Sequence, residues 1–270
     1  MLRDITLGQY YPADSVIHKL DPRVKLFGTM IYIISLFCFR GIAALAIATV
    51  FMFVVIKLSK VPFKFMVKGL KAIMILMLIT AAFNLFLTPG EELVSFWVFT
   101  ITREGLTNAV LMAIRLTYLI LGTSVMTLTT TPNQLTDGLE KSLMPLSKIG
   151  IPVHAIAMMM SIALRFIPIL IEETDKIMKA QMARGADFES GNLLKKVKNM
   201  IPLLVPLFVS AFRRADDLAM AMEARCYNGG EGRTKMKPLH YEGRDRLAYL
   251  VVLAYFVLIL VCRIFLRWPQ

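Results

Sequence analysis

Two short stretches of this sequence carry the same functional group at the same spacing. Ala180-Gln-Met-Ala-Arg-Gly185 and Ala221-Met-Glu-Ala-Arg-Cys226 both read A-x-x-A-R followed by a small residue. Each closes a long helical run, and helix-stopping residues follow: Gly185 in one, Asn228-Gly229-Gly230 in the other. The pattern predicts two helix C-termini of one design, each tipped by an arginine. A guanidinium there is favoured by the helix dipole and can reach a carboxylate through charge-assisted, often bidentate hydrogen bonds. One such arginine is commonly only a solvated helix end. Two copies on consecutive helices point to a paired docking device, with Ala183, Gly185, Ala224 and Cys226 small enough to let a groove close around Arg184 and Arg225.

Other chemistry is missing from the pattern. There is no G-x-x-x-x-G-K-[ST] loop to cradle a nucleotide and no G-x-S-x-G elbow. His18, His154 and His240 stand apart without metal-ligand spacing, so no cofactor and no metal is expected. The three cysteines, Cys38, Cys226 and Cys262, are too scattered for a disulfide or zinc framework. Carboxylates are sparse in the apolar runs, which offers no proton relay. The chain reads as a mechanical part, not an enzyme.

The elements that must hold the two arginines are mostly apolar. Of 270 residues 57% are hydrophobic, and the mean hydropathy is +0.63, above that of a soluble domain. The net charge of +12 would suggest nucleic acid in a soluble chain, but no basic stretch is interleaved with stacking aromatics. With long apolar runs it marks cytoplasmic loops and anionic headgroups of a lipid bilayer instead. Five apolar runs read as spans: Val24–Phe39, Ile42–Leu58, Val67–Leu87, Gly105–Thr130 and Leu247–Phe265. Arg40-Gly41 is a tight turn, and the next loop carries Lys57, Lys60, Lys64, Lys68 and Lys71 with no acid. That loop and the N-terminus are therefore expected in the cytoplasm. The segment Glu91–Glu104, with Phe96, Trp97 and Phe99, has the aromatics of an outer interface. Arg263 and Arg267 would then lie outside, against the trend. No signal-peptide pattern is expected. Arg115 falls near the middle of the fourth run, where it marks either a functional position or a polar interhelical seam.

After Pro132 the charge density rises: Pro132–Arg246 holds 13 of the 19 acids. Three helices fit there. Asn133–Ile149 is amphipathic, with Leu135, Leu139, Leu143 and Leu146 on one face. Val153–Arg184 starts apolar and turns charged after Pro168, with Glu172–Lys176 and Asp175–Lys179 at i,i+4. It is long enough to span, but His154, Arg165 and Pro168 favour a helix lying in the cytoplasmic interface. The third, from about Leu193 to Arg225, carries Pro202, Pro206 and the pair Arg213–Asp217. In it Ala211, Ala215 and Ala219 form a ridge of small residues suited to a close crossing with the preceding helix. The expected architecture is an all-α polytopic membrane protein: four spans in residues 1–131, cytoplasmic coupling helices in 132–245, and a fifth span in 246–270.

The ordered set Thr130-Thr-Pro-Asn-Gln-Leu, Gly138-Leu-Glu, Pro145-Leu, Gly150-Ile-Pro, Leu164-Arg-Phe-Ile-Pro, Glu172, Ala180-Gln-Met-Ala-Arg-Gly and Glu223-Ala-Arg-Cys-Tyr resembles the transmembrane T component of energy-coupling factor (ECF) transporters. It is densest over Thr130–Tyr227. The resemblance implies a non-catalytic scaffold in the bacterial inner membrane, joining two cytoplasmic ABC-type ATPase subunits (EcfA and EcfA′) to a substrate-binding S component. It implies uptake of vitamins or transition-metal ions. It also implies that Ala183-Arg184-Gly185 and Ala224-Arg225-Cys226 insert into grooves on the two ATPases, Cys226 standing where Ser or Gly is usual. In that setting Leu135, Leu139 and Leu143 face either the membrane surface or the S component. Two other readings are a polytopic enzyme acting on lipid-linked substrates, which lacks convergent acid, base or metal groups, and a self-sufficient secondary transporter, which lacks inverted repeats.

Overall fold

The computed structural model describes residues 9–38, 42–96, 99–186, 188, 193–229, 236 and 238–265. Among these residues eight α-helices account for nearly all of the secondary structure: α1 Pro22–Cys38, α2 Ile42–Ser59, α3 Phe63–Leu87, α4 Arg103–Thr129, α5 Pro132–Leu143, α6 Val153–Ala183, α7 Leu193–Ala224 and α8 Gly243–Phe265. The predicted runs become α1 to α4 and α8, and the fold is the all-helical one expected of a membrane protein. Among the described residues α4, α6 and α8 are each long and apolar enough to cross a bilayer, and α3 makes a fourth if its two parts, bent by 60° around residue 72, count as one span. At ~1.5 Å per residue, α1 and α2 are shorter, ~26 Å each. The turn at Arg40-Gly41, Trp97, Gly230 and Arg267 lie outside the described residues.

The chain divides into two compact units, one of residues 8–138 and 239–270, the other of residues 139–238 with the first seven. In the first unit α3 and α4 pack side by side, joined by a small antiparallel hairpin, β1 Glu92–Phe96 and β2 Phe99–Thr102. Its register pairs Phe96 with Phe99 and Glu92 with Thr102, with a bulge between Glu92 and Val94. In this segment, read from the sequence as an outer interface, strand pairing satisfies backbone groups. Thr102 links the hairpin to both helices: its hydroxyl donates to Thr88 O (2.8 Å) and accepts from Gly105 N, capping α4.

The core of this unit joins α1, α2, α4 and α8 around Leu36 and Ile259, both 0% exposed. Phe51 stacks on Tyr255 with centroids 4.0 Å apart. Tyr32 completes the aromatic group and donates to Tyr118 O. Gly122 is required there, because a Cβ would lie 2.4 Å from the Tyr32 ring. Several polar side chains of the core are satisfied internally, as hydrocarbon surroundings demand. Ser35 and the Tyr255 hydroxyl share a 2.9 Å hydrogen bond. The Thr-rich half of α4 returns its hydroxyls to carbonyls four residues back, Thr123 to Leu119 and Thr129 to Val125.

At one end of the bundle the polar residues at the starts of α1 and α8 form a lattice. Asp245, 1% exposed, accepts from Asp21 N and from Glu242 N, tying the start of α1 to the start of α8. Asp21 in turn holds Arg23 through both carboxylate oxygens. The Lys25 ammonium donates to His18 O and Thr129 O, and Lys19 pairs with Asp14.

In the second unit Val153, Ala157 and Leu203 are the buried apolar residues among those described. The amphipathic helix is shorter than the predicted Asn133–Ile149. Pro145 ends it, and Met144–Ile149 forms a 3₁₀ turn closed by Gly150 in the left-handed region. Its start is a full capping box: Gln134 N donates to the Thr131 hydroxyl, and Thr131 N donates to Gln134 Oε1. α6 and α7 run as continuous helices through Pro168, Pro202 and Pro206.

Candidate functional site: two arginine-tipped helix ends

α6 and α7 end in the same backbone motif. At the end of α6, Gly185 N donates to Met182 O and Ala186 N to Gln181 O, both at 3.0 Å. At the end of α7, Cys226 N donates to Glu223 O (2.8 Å) and Tyr227 N to Met222 O (3.0 Å). Both are Schellman motifs, in which the residue after the cap adopts a left-handed conformation and the last orphan carbonyls are satisfied. The left-handed residues are Gly185 (φ 87°) and Cys226 (φ 56°). The sequence repeat is therefore a structural repeat: A-x-x-A-R supplies the final turn and the cap, and the residue after Arg reverses the chain. Glycine does this at no steric cost, whereas Cys226 carries a Cβ there, at a cost of about 1 kcal/mol.

In each motif the arginine is the cap residue. Arg184 and Arg225 are exposed, as are Ala183, Ala224, Gly185 and Cys226. Neither arginine has an ion-pair partner among the described residues. Each presents a full set of guanidinium donors beside small side chains, at an end rigidified by its own hydrogen bonds.

A polar clamp holds α6 to α7. Glu173 accepts from the Ser210 hydroxyl with one oxygen and from Arg214 Nη2 at 2.7 Å with the other. The expected pairs Glu172–Lys176, Asp175–Lys179 and Arg213–Asp217 do not close among the described residues; the carboxylate that matters is one position along and its partners are 37 and 41 residues away. Such a contact has no local signal in a sequence. The small-residue ridge is corrected too. Ala211 is half-buried, but Ala215 and Ala219 are exposed. The inward stripe of α7 is Leu203, Leu207, Ser210, Ala211, Arg214 and Leu218, because the Glu173 clamp sets the rotation of the helix. Ile201, Val205, Phe208 and Phe212 form an exposed apolar stripe.

Of the three candidate leucines, Leu135 and Leu139 are half-buried within the chain, and Leu143 is 42% exposed next to exposed Met144 and Leu146. The end of α5 meets the start of α6 through Glu140 Oε1 and His154 Nδ1, 3.0 Å apart. Arg115 belongs to the first unit. It is half-buried on α4, with its guanidinium 3.9 Å from Met112 Sδ and 6.0 Å from the Phe37 ring centroid. Among the described residues no group of three His, Cys, Asp or Glu could hold a metal ion.

A family model described as cobalt transport protein (CbiQ) matches residues 13–236. The chain is 58% identical over 264 residues to the energy-coupling factor transporter transmembrane protein EcfT of Clostridium kluyveri, covering 97% of this chain and 96% of that protein. It is 52% identical to the EcfT of Acidaminococcus fermentans, covering 99% and 98% of the two chains, and 48% identical to that of Bacillus subtilis, covering 94% and 97%.

Proposed function

The chain belongs to the energy-coupling factor transporter transmembrane protein family, and on that footing we propose that it is a non-catalytic scaffold which couples two ABC-type ATPase subunits to substrate uptake through an S component. It is a multi-pass membrane protein. In this reading it sits in a bacterial plasma membrane with its N-terminus inside, α6 and α7 lie at the cytoplasmic interface, and the cargo is a vitamin or a transition-metal ion chosen by the S component. Each ATPase receives one arginine-tipped end, Arg184 or Arg225. The exposed apolar stripe of α7 and Leu143 are the surfaces offered to the S component.

The observation that carries this reading is the duplicated Schellman end with an exposed arginine as its cap. Force transfer needs a rigid part for each ATPase to hold, and a helix terminus whose carbonyls are already satisfied can enter a groove without leaving backbone groups unpaired. Cys226 supplies the test, since it is an exposed thiol next to Arg225. A short thiol-to-amine crosslinker on Cys226 in membranes should capture an ATPase subunit, and Ala186→Cys should capture one at the other end. Crosslinks confined to lipid or to this chain would refute the docking assignment.

A further inference from the structure

One end of the first unit contains an apolar groove of about 270 Å³. Its walls are the start of α1, the end of α2, the end of α4 and the start of α8, through residues such as Tyr32, Val55, Val125, Ala248 and Val251. Lys25 and Arg244 are the charged residues of its lining, and Lys57 and Lys60 stand at the end of α2 beside the lining residue Leu58. Lys25 donates two of its three N–H groups to carbonyls. Arg244 pairs with Glu242 through Nη2 at 2.7 Å, while its Nε is buried with no hydrogen-bond partner.

A buried guanidinium N–H without an acceptor is costly, and here it sits where an apolar slot meets a basic rim. At hydrocarbon depth the material available to fill such a slot is an acyl chain, and the group that would satisfy Arg244 is a phosphate oxygen. We propose that this groove is a binding site for an anionic phospholipid, with one acyl chain between α1, α2, α4 and α8 and the headgroup phosphate at Arg244 and Lys25. The charge complementarity selects a lipid over a protein segment, because an apolar helix would leave Arg244 Nε as it is. The site does not depend on the arginine-tipped ends, so it stands or falls apart from ATPase docking.

The test is native mass spectrometry of the full-length protein in detergent, titrated with phosphatidylglycerol or phosphatidylcholine, together with photo-crosslinking by phosphatidylglycerol that carries a diazirine near the end of one chain. Phosphatidylglycerol should be retained in preference to phosphatidylcholine, by about fivefold per cation engaged. Arg244→Gln should cut that preference about fivefold, and Ala248→Phe should remove the bound lipid by filling the groove. In the unaltered protein the crosslinks should concentrate on Val55, Met126 and Val251. Equal retention of the two headgroups would overturn the proposal. So would crosslinks spread evenly over the exposed faces of α3 and α8, or a partner protein found crosslinked in the groove in place of lipid.

Discussion

The two units of this molecule solve different problems with the same secondary structure. In the first, four helices surround a closed core in which Leu36 and Ile259 are fully buried, and a polar lattice around Asp21 and Asp245 locks the bundle end. In the second, two helices of about 30 residues, α6 and α7, bury few apolar side chains and are held by a clamp at Glu173. The first is built to stay fixed. The second is built to present surface: an apolar stripe on α7 and a charged tip on each helix. The contrast teaches that helix content alone does not separate a closed bundle from a surface-presenting pair; what separates them is where side-chain burial stops.

The largest expected effect belongs to the closed core. Leu36→Ala should cost about 2–5 kcal/mol, seen as a large fall in the unfolding midpoint of the purified protein in detergent. Val209→Ala, on the exposed face of α7, should cost a small fraction of that. Comparable losses at the two positions would erase the distinction between the units.

The clamp comes next. A double-mutant cycle on Glu173→Gln and Arg214→Gln should return a coupling of about 0.5–1 kcal/mol, since both side chains are partly exposed and the pair is screened. Zero coupling would mean that α6 and α7 are held by packing alone.

A smaller effect sharpens the likeness between the two helix ends. A Cβ at Gly185 would meet no atom within 4 Å, so Gly185→Ala tests backbone conformation and nothing else. It should destabilise by about 1 kcal/mol. Cys226→Gly should act in the opposite direction, by about 0.5 kcal/mol once the greater freedom of unfolded glycine is counted. Hydrogen exchange at the amides of Ala186 and Tyr227 would report both changes. Faster exchange in Cys226→Gly would contradict the left-handed cap.

The smallest is a pH effect confined to the first unit. Burial holds the His18 imidazole below its ordinary value of 6.5 despite the hydrogen bond from Nε2–H to Tyr11 O. The fold therefore favours the neutral ring, its Nδ1 accepting from Ser15. Stability from this residue is complete above pH 6.5 and declines as the pH falls below it, because the unfolded chain takes up the proton first. Unfolding midpoints measured from pH 7.5 to 5 should decline less in His18→Gln than in the parent; identical slopes would show that His18 does not contribute.

How much of this was legible in the sequence follows from the range of each interaction. The helices were readable because hydropathy and length are local properties. The helix ends at Arg184 and Arg225 were readable because a Schellman motif is written within six residues. Pro145 is a local stop signal, and the amphipathic helix ends at Leu143, six residues before the predicted Ile149. The ridge Ala211–Ala215–Ala219 was a true pattern with the wrong consequence, because helix rotation is set by Glu173, a partner about 40 residues distant. The buried carboxylates were missed for the same reason. Asp21 and Asp245 meet across 224 positions, although Asp21 before Pro22 and Asp245 just after the start of α8 do carry the local mark of helix starts.

The central claim is that Arg184 and Arg225 are the points where two ATPases grip this protein. The most direct test expresses the transporter with Arg184→Ala, Arg225→Ala or both, and measures substrate uptake together with ATPase retention in pull-downs. Losing one partner of a docked charge pair costs roughly 2–5 kcal/mol, so each single change should weaken retention strongly and the double change should abolish uptake. The separated ATPase subunits should still bind nucleotide. If the helix dipole were all that these arginines served, each change would cost at most about 1 kcal/mol. A double variant that transports at a near-normal rate with both ATPases bound would contradict the account.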